Sequence, residues 1–325
     1  MSLKRVFILG AGFSKQAGMP LATELTPLLR REFEAYDLDE ALQWFASLDE
    51  RVRWLNGNTE DGPHALNIEE LFDLAHFDAL TWKMRQHMCP VGRNSGDTPY
   101  ATAEGIEAWL SYMEDGLAEA IWDCQQKAVP ESDGIARFAA CVGQDDAVVT
   151  FNYDTLIEQA MSKAKKSWHH GFAVSDGTPV LKMHGSINWA IVPRGQEGNF
   201  GYPVLFRKED QNMQGPEVES TGEIEYDYLL LQVPDASVEG RIKNRMRETS
   251  NKQYRIGIAG LGRYKPLDEL PGSGRVWHNA GRALCQAEEV YAVGFSLSAY
   301  DTMARLHFAG VMCERAANDK SPPKV

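Results

Sequence analysis

The sequence predicts an α/β fold: an open parallel sheet with helices on both faces and a large helical insertion after the first strand. Three observations lead there. Four short apolar runs are continuous rather than alternating, as strands buried on both faces require. They are RVFIL (5–9), DAVVTF (146–151), PVLKM (179–183) and EVYAVGF (289–295). Helical periodicity follows most of them, and strands alternating with helices point to an open sheet. More than a hundred residues separate the first run from the second, far more than one crossover helix needs.

In chain order, the first strand breaks into GAGFSKQAGMP (10–20) and a charged helical stretch. The insertion, residues 36–135, reads as helical. Ile68, Leu71, Phe72, Ala75 and Ala79 share one face, as do Ile106, Leu110, Met113, Leu117 and Ile121, and both stripes are read as core packing. A turn-rich connector, CPVGRNSGDTP (89–99), lies between them. Residues 1–35 and 136–325 are then the nucleotide-binding domain. It has a helix over Thr155–Ala164, a fifth strand in YDYLLLQV (226–233) and a last helix over Ala299–Cys313. Residues 192–223 are rich in Gly, Pro and polar groups, either a flap over a site or a long surface loop, and SPPKV (321–325) is a frayed end.

Bulk properties exclude several classes. The 325 residues suffice for an ample core, and no apolar run approaches the length of a membrane helix. The apolar start runs straight into the glycine turn, so it is not a signal peptide and a cytoplasmic protein is expected. Lys plus Arg number 33 against 46 Asp plus Glu, a formal charge of −13, which disfavours general nucleic-acid binding. Five cysteines stand singly without a CxxC pair, and His76 and His87 lack metalloprotease spacing, so no metal site is expected.

Glycines after a strand permit a tight turn and close approach of a ligand, and the helix behind them aims free N–H groups at an anion. Gly10, Ala11, Gly12 and Ser14 suit phosphate binding, with Ser14 adding a hydroxyl. A P-loop is excluded, because five residues separate Gly12 from Gly18 and Met19 follows. The dehydrogenase fingerprint is excluded too: Lys15 occupies its third glycine position, and Glu32 and Glu34 lie in a helical stretch rather than at a strand end.

Three later stretches place polar residues at strand carboxyl ends, where open α/β sheets bind ligands. TFNYD ends one strand with Asn152, Tyr153 and Asp154, although Asp154 alone reads as a helix cap. KMHGS ends the next with His184, an imidazole suited to base chemistry near neutral pH. GFSLSAYD ends the third with Gly294, Ser296 and Asp301.

GAGFSKQAGMP, TFNYD, KMHGS and GFSLSAYD, in that order, resemble the sirtuin-like NAD-consuming family. The similarity is greatest to its zinc-free bacterial branch, and it runs from about residue 5 to residue 310. It implies a Rossmann-like sheet and an NAD+ glycohydrolase that splits the nicotinamide–ribose bond, with NAD as substrate and no metal. Ala11, Gly12 and Ser14 would cradle the pyrophosphate. Asn152 would hold the ribose or the attacking water, and His184 would accept a proton. Asp154 and the backbone at Tyr153 would grip the carboxamide. Gly294 and Ser296 would line the adenosine end, and Asp301 would line the site or cap its helix.

The four-cysteine zinc module of the protein deacylases is missing, and Leu21-Ala22-Thr23 stands where they carry Asp-Phe-Arg. Water is therefore the expected acceptor. The resemblance further implies gating, a homo-oligomer, a companion ATPase or Argonaute-like subunit, and a role in antiphage defence by NAD depletion. The competing readings are an NAD- or ADP-ribose-sensing module and a zinc-free deacylase or ADP-ribosyltransferase.

Overall fold

A computed structural model of the chain describes residues 3–55, 67–88, 103–128, 133–172, 176–193, 202–206, 228–233, 239–246, 254–259, 261–263, 270–299 and 301–318. The chain begins with β1 (Arg5–Leu9), α1 (Ala11–Lys15), α2 (Ala22–Ala35), α3 (Asp39–Leu55), α4 (Ile68–Met88), α5 (Ala103–Lys127) and α6 (Asp133–Cys141). It continues with β2 (Asp146–Thr150), α7 (Leu156–Lys163), β3 (Trp168–His169), β4 (Thr178–Lys182), β5 (Gly185–Pro193), β6 (Val204–Phe206) and β7 (Tyr228–Gln232). The last elements are α8 (Arg241–Met246), β8 (Arg255–Ile258), α9 (Ser273–Gln286), β9 (Glu289–Val293) and α10 (Thr302–Ala317).

Five strands form a parallel sheet in the order β3-β4-β2-β1-β9, a mixed α/β architecture compatible with a Rossmann-like fold. Side chains alternate across a strand, so a sheet covered on both sides needs two apolar cores. Val6, Ile8, Val149, Leu181 and Val290 pack on one side against Val276, Trp277 and Leu284 of α9 and Phe308 and Val311 of α10. Phe7, Leu9, Val148 and Val180 face the other side and join Leu29, Phe33, Phe45, Leu71, Phe72, Leu117 and Ile157 in a single cluster.

The helical stripes behave as their spacing requires. Ile68, Leu71, Phe72, Ala75, Met113, Leu117 and Ile121 are buried, Ala79 and Leu110 are half-buried, and the side chain of Ile106 lies outside the described residues. Thr155–Ala164 matches α7 to within a residue at each end, while the last helix starts at Thr302 rather than Ala299.

One strand differs from the sequence reading. The run at 226–233 is a strand over Tyr228–Gln232, but it belongs to a separate antiparallel sheet of order β6-β7-β5-β8. Both faces of such a strand are buried against other elements, so its sequence looks like that of a parallel strand. The fifth strand of the parallel sheet is instead β3, two residues long. Residues 192–193 end β5 and 204–206 form β6, whereas most of the 192–223 segment lies outside the described residues, as do 89–99 and 321–325.

The helix α8 and the residue that precedes β8 are tied to α5 by buried charges. Arg241 Nε donates to Asp115 Oδ1 at 2.9 Å, and its guanidinium lies over the Tyr254 ring. Glu119 Oε1 accepts from Ile242 N at 2.7 Å, and its Oε2 accepts from the Tyr36 hydroxyl at 3.0 Å. Burial pushes the Glu119 carboxyl up to about 7, with nearby Glu32 and Asp115 adding to it against the pull of those two hydrogen bonds.

Candidate functional site

The loops after β1, β2, β4 and β9 meet over one edge of the parallel sheet and enclose a cavity of about 620 Å³. That lies within the roughly 300–1,000 Å³ of small-molecule sites. Gly10, Ala11, Gly12, Ser14, Asn152, Tyr153, Asp154, His184, Gly294, Ser296 and Asp301 all line it. The fold thus brings together every residue singled out from the sequence.

The glycines at 10, 12 and 294 are required by contact between two loops. A Cβ on Gly12 would sit 2.9 Å from the Gly294 Cα, and one on Gly294 would overlap Phe13 N. Gly12 N donates to Gly294 O at 2.9 Å, Gly10 N to Val293 O at 3.3 Å and Phe13 N to Gly10 O at 2.9 Å. Those amides serve the fold, so an anion at this loop would rely on Ala11 N–H and the Ser14 hydroxyl. That is fewer donors than the glycine pattern suggests.

Asn152 is 9% exposed, and its amide nitrogen donates to Gly10 O and to Ser14 Oγ, each at 3.0 Å. A carbonyl only accepts, so the contact with Gly10 O fixes which way the amide points. Its Oδ1 remains as an acceptor, and Ser14, accepting from Asn152, keeps its own proton to donate. The Tyr153 hydroxyl donates to Ala259 O at 2.8 Å, while its carbonyl accepts from Ile187 N at 3.1 Å. Burial, then the charges of Asp301, Glu69 and Glu114, push this phenol well above its ordinary value, so it stays protonated. Asp154 Oδ1 accepts from Leu156 N at 3.1 Å, the helix-start role its position suggests, and the residue still lines the cavity.

His184 occupies the turn between β4 and β5, next to Gly185 at φ +82°, where a Cβ would overlap Gly257 O. The residue is 5% exposed, and its imidazole sits edge-on to Phe151, with Tyr153 and Trp277 farther off. Its Nε2 lies 2.9 Å from Asp301 Oδ2. The other oxygen of Asp301 accepts from Ala304 N at 3.0 Å and caps α10. Asp301 therefore does both things the sequence left open. Its second oxygen sets a carboxylate within ion-pair distance of one imidazole nitrogen.

Sequence reasoning missed several cavity residues. Phe151 and Phe295 stack at 4.8 Å and form an apolar wall. Glu69, Ile121 and Leu261 reach the cavity from α4, α5 and the segment after β8. Glu69 Oε2 accepts from Ser298 Oγ at 3.3 Å, joining α4 to the loop that carries Asp301. No local pattern marks such residues, because only the packing of distant elements brings them to the site.

Compared with known proteins, the sequence matches no protein-family model and no curated protein.

Proposed function

We propose that the chain is an NAD+ glycohydrolase. One observation carries the reading: Asn152 and the His184–Asp301 pair, from three different strand ends, face one cavity together with the glycine loop. The pyridinium of NAD+ is a good leaving group, so the protein must hold the ring, stabilise an oxocarbenium-like sugar and present water.

In the proposed reaction the bond between the anomeric carbon and the ring nitrogen breaks, and its electron pair leaves with neutral nicotinamide. Water attacks the same carbon and loses a proton, giving ADP-ribose. The His184 imidazole, with the Asp301 carboxylate beside it, accepts that proton, and Asn152 Oδ1 orients the water or a ribose hydroxyl. Asp154 and the backbone at Tyr153 hold the carboxamide. Ala11 N–H and the Ser14 hydroxyl hold the pyrophosphate beside the Gly12 backbone, and Gly294 and Ser296 line the adenosine end. Gating by self-assembly or by a companion ATPase or Argonaute-like subunit, in antiphage defence, rests on the resemblance alone.

The test is product analysis after incubation with NAD+, alone and with candidate activators. Nicotinamide and ADP-ribose are expected from the parental chain. Asn152→Ala and His184→Ala should each lower release by on the order of 10²-fold or more while the fold is kept. Binding of NAD+ without turnover under every condition would favour a sensor, and a requirement for a peptide or nucleic-acid acceptor would favour a transferase. Either outcome overturns hydrolysis.

A further inference from the structure

Beneath the site lies a buried cation, Lys182, whose role no sequence motif suggests. It is the last residue of β4, is 1% exposed and pairs in register with Thr150 of β2. Its ammonium donates to the Asp154 backbone carbonyl at 2.5 Å and to Glu158 Oε1 at 2.8 Å. Glu158, in the first turn of α7, is also buried. Burial raises its carboxyl, and the charge and hydrogen bond of Lys182 pull it back.

A buried ion pair is a poor source of stability, because desolvation of both charges offsets their attraction. Its geometry here has a specific effect. The turn 152–154 is held at three points. The Asn152 side chain ties it to the glycine loop, and Ile187 N–H ties the Tyr153 carbonyl to β5. Lys182 ties the Asp154 carbonyl to β4, so two strand-end loops are joined beneath the cavity.

We propose that Lys182, with Glu158 as its buried counter-charge, is the positioning residue that aims Asp154 at the carboxamide end of the ligand. The inference rests on the glycohydrolase reading. It assigns to Lys182 no contact with substrate. An ammonium suits this task because it donates to a carbonyl and a carboxylate at once, which no apolar side chain does.

The experiment uses the full-length chain with the pair replaced together, Lys182→Met with Glu158→Leu, since a charge-free pair avoids stranding one buried ion. Steady-state NAD+ cleavage, thermal midpoint and product inhibition by nicotinamide and by ADP-ribose are measured for parent and variant. The variant is expected to keep its midpoint, lose on the order of 10- to 100-fold in kcat/KM, and weaken selectively for nicotinamide. Parental kinetics in the double variant would overturn the proposal. So would parallel weakening of both inhibitors with a lowered midpoint, which marks a purely structural pair. A parental chain that binds neither NAD+ nor nicotinamide overturns the glycohydrolase reading itself, and this proposal with it.

Discussion

At the scale of single residues, Asp301 uses its two oxygens differently, one capping α10 and one lying 2.9 Å from His184 Nε2. The tasks separate chemically. Asparagine is as good a helix cap as aspartate, but it lacks the negative charge that aspartate sets beside the imidazole. Asp301→Asn is therefore expected to unfold at the parental temperature while nicotinamide release falls by on the order of 10²–10⁴-fold. Unchanged release in purified Asp301→Asn would remove the pair from the mechanism. The two partners stand more than a hundred positions apart, and this explains what the sequence concealed. Each residue was legible as a polar group at a strand end, because Gly185 and Gly294 flag tight turns. Which residue pairs with which depends on how the strand-end loops fold over the sheet edge, and no spacing rule encodes it.

At the scale of elements, the parallel strands were legible because burial on both faces leaves continuous apolar runs such as Ala147, Val148 and Val149. The antiparallel sheet was not. β3 is too short to show a pattern, and β5 begins with Gly185, Ser186 and Asn188, which read as a loop. The junction of α2, α5 and α8 has a measurable consequence. The Glu119 carboxyl is raised in the folded chain to about 7, from an ordinary value of 4.5. The folded state thus binds more protons than the unfolded one between those values, and stability falls as pH rises through that window. The loss is of the order of 1–3 kcal/mol and is complete above the folded value. Glu119→Gln, which mimics the protonated form toward Tyr36 and Ile242, should raise the thermal midpoint at about pH 8 and change it little near the ordinary carboxylate value. A variant less stable than the parent under the alkaline condition would show that the carboxylate is held ionised instead.

At the scale of the whole molecule, one apolar cluster runs from Phe7 and Leu9 of the sheet through Leu29, Phe45, Leu71 and Leu117 of the helices. Glu69 and Ile121 from those helices also form part of the cavity wall. Removal of residues 36–135 is expected to bare the sheet face formed by Phe7, Leu9, Val148 and Val180. A shortened chain should then be insoluble or bind the dye ANS without a cooperative melt. A soluble, cooperatively melting product would show that the helices fold as a separable unit.

The cap on α10 has a mechanical consequence. One carboxylate both caps the start of that helix and lies beside the imidazole, so the position of the helix sets where the charge beside the buried ring stands. Met303 and Leu306 lie on its outer surface, 42% and 65% exposed. A displacement of α10 would carry that carboxylate with it and alter its distance from the His184 ring.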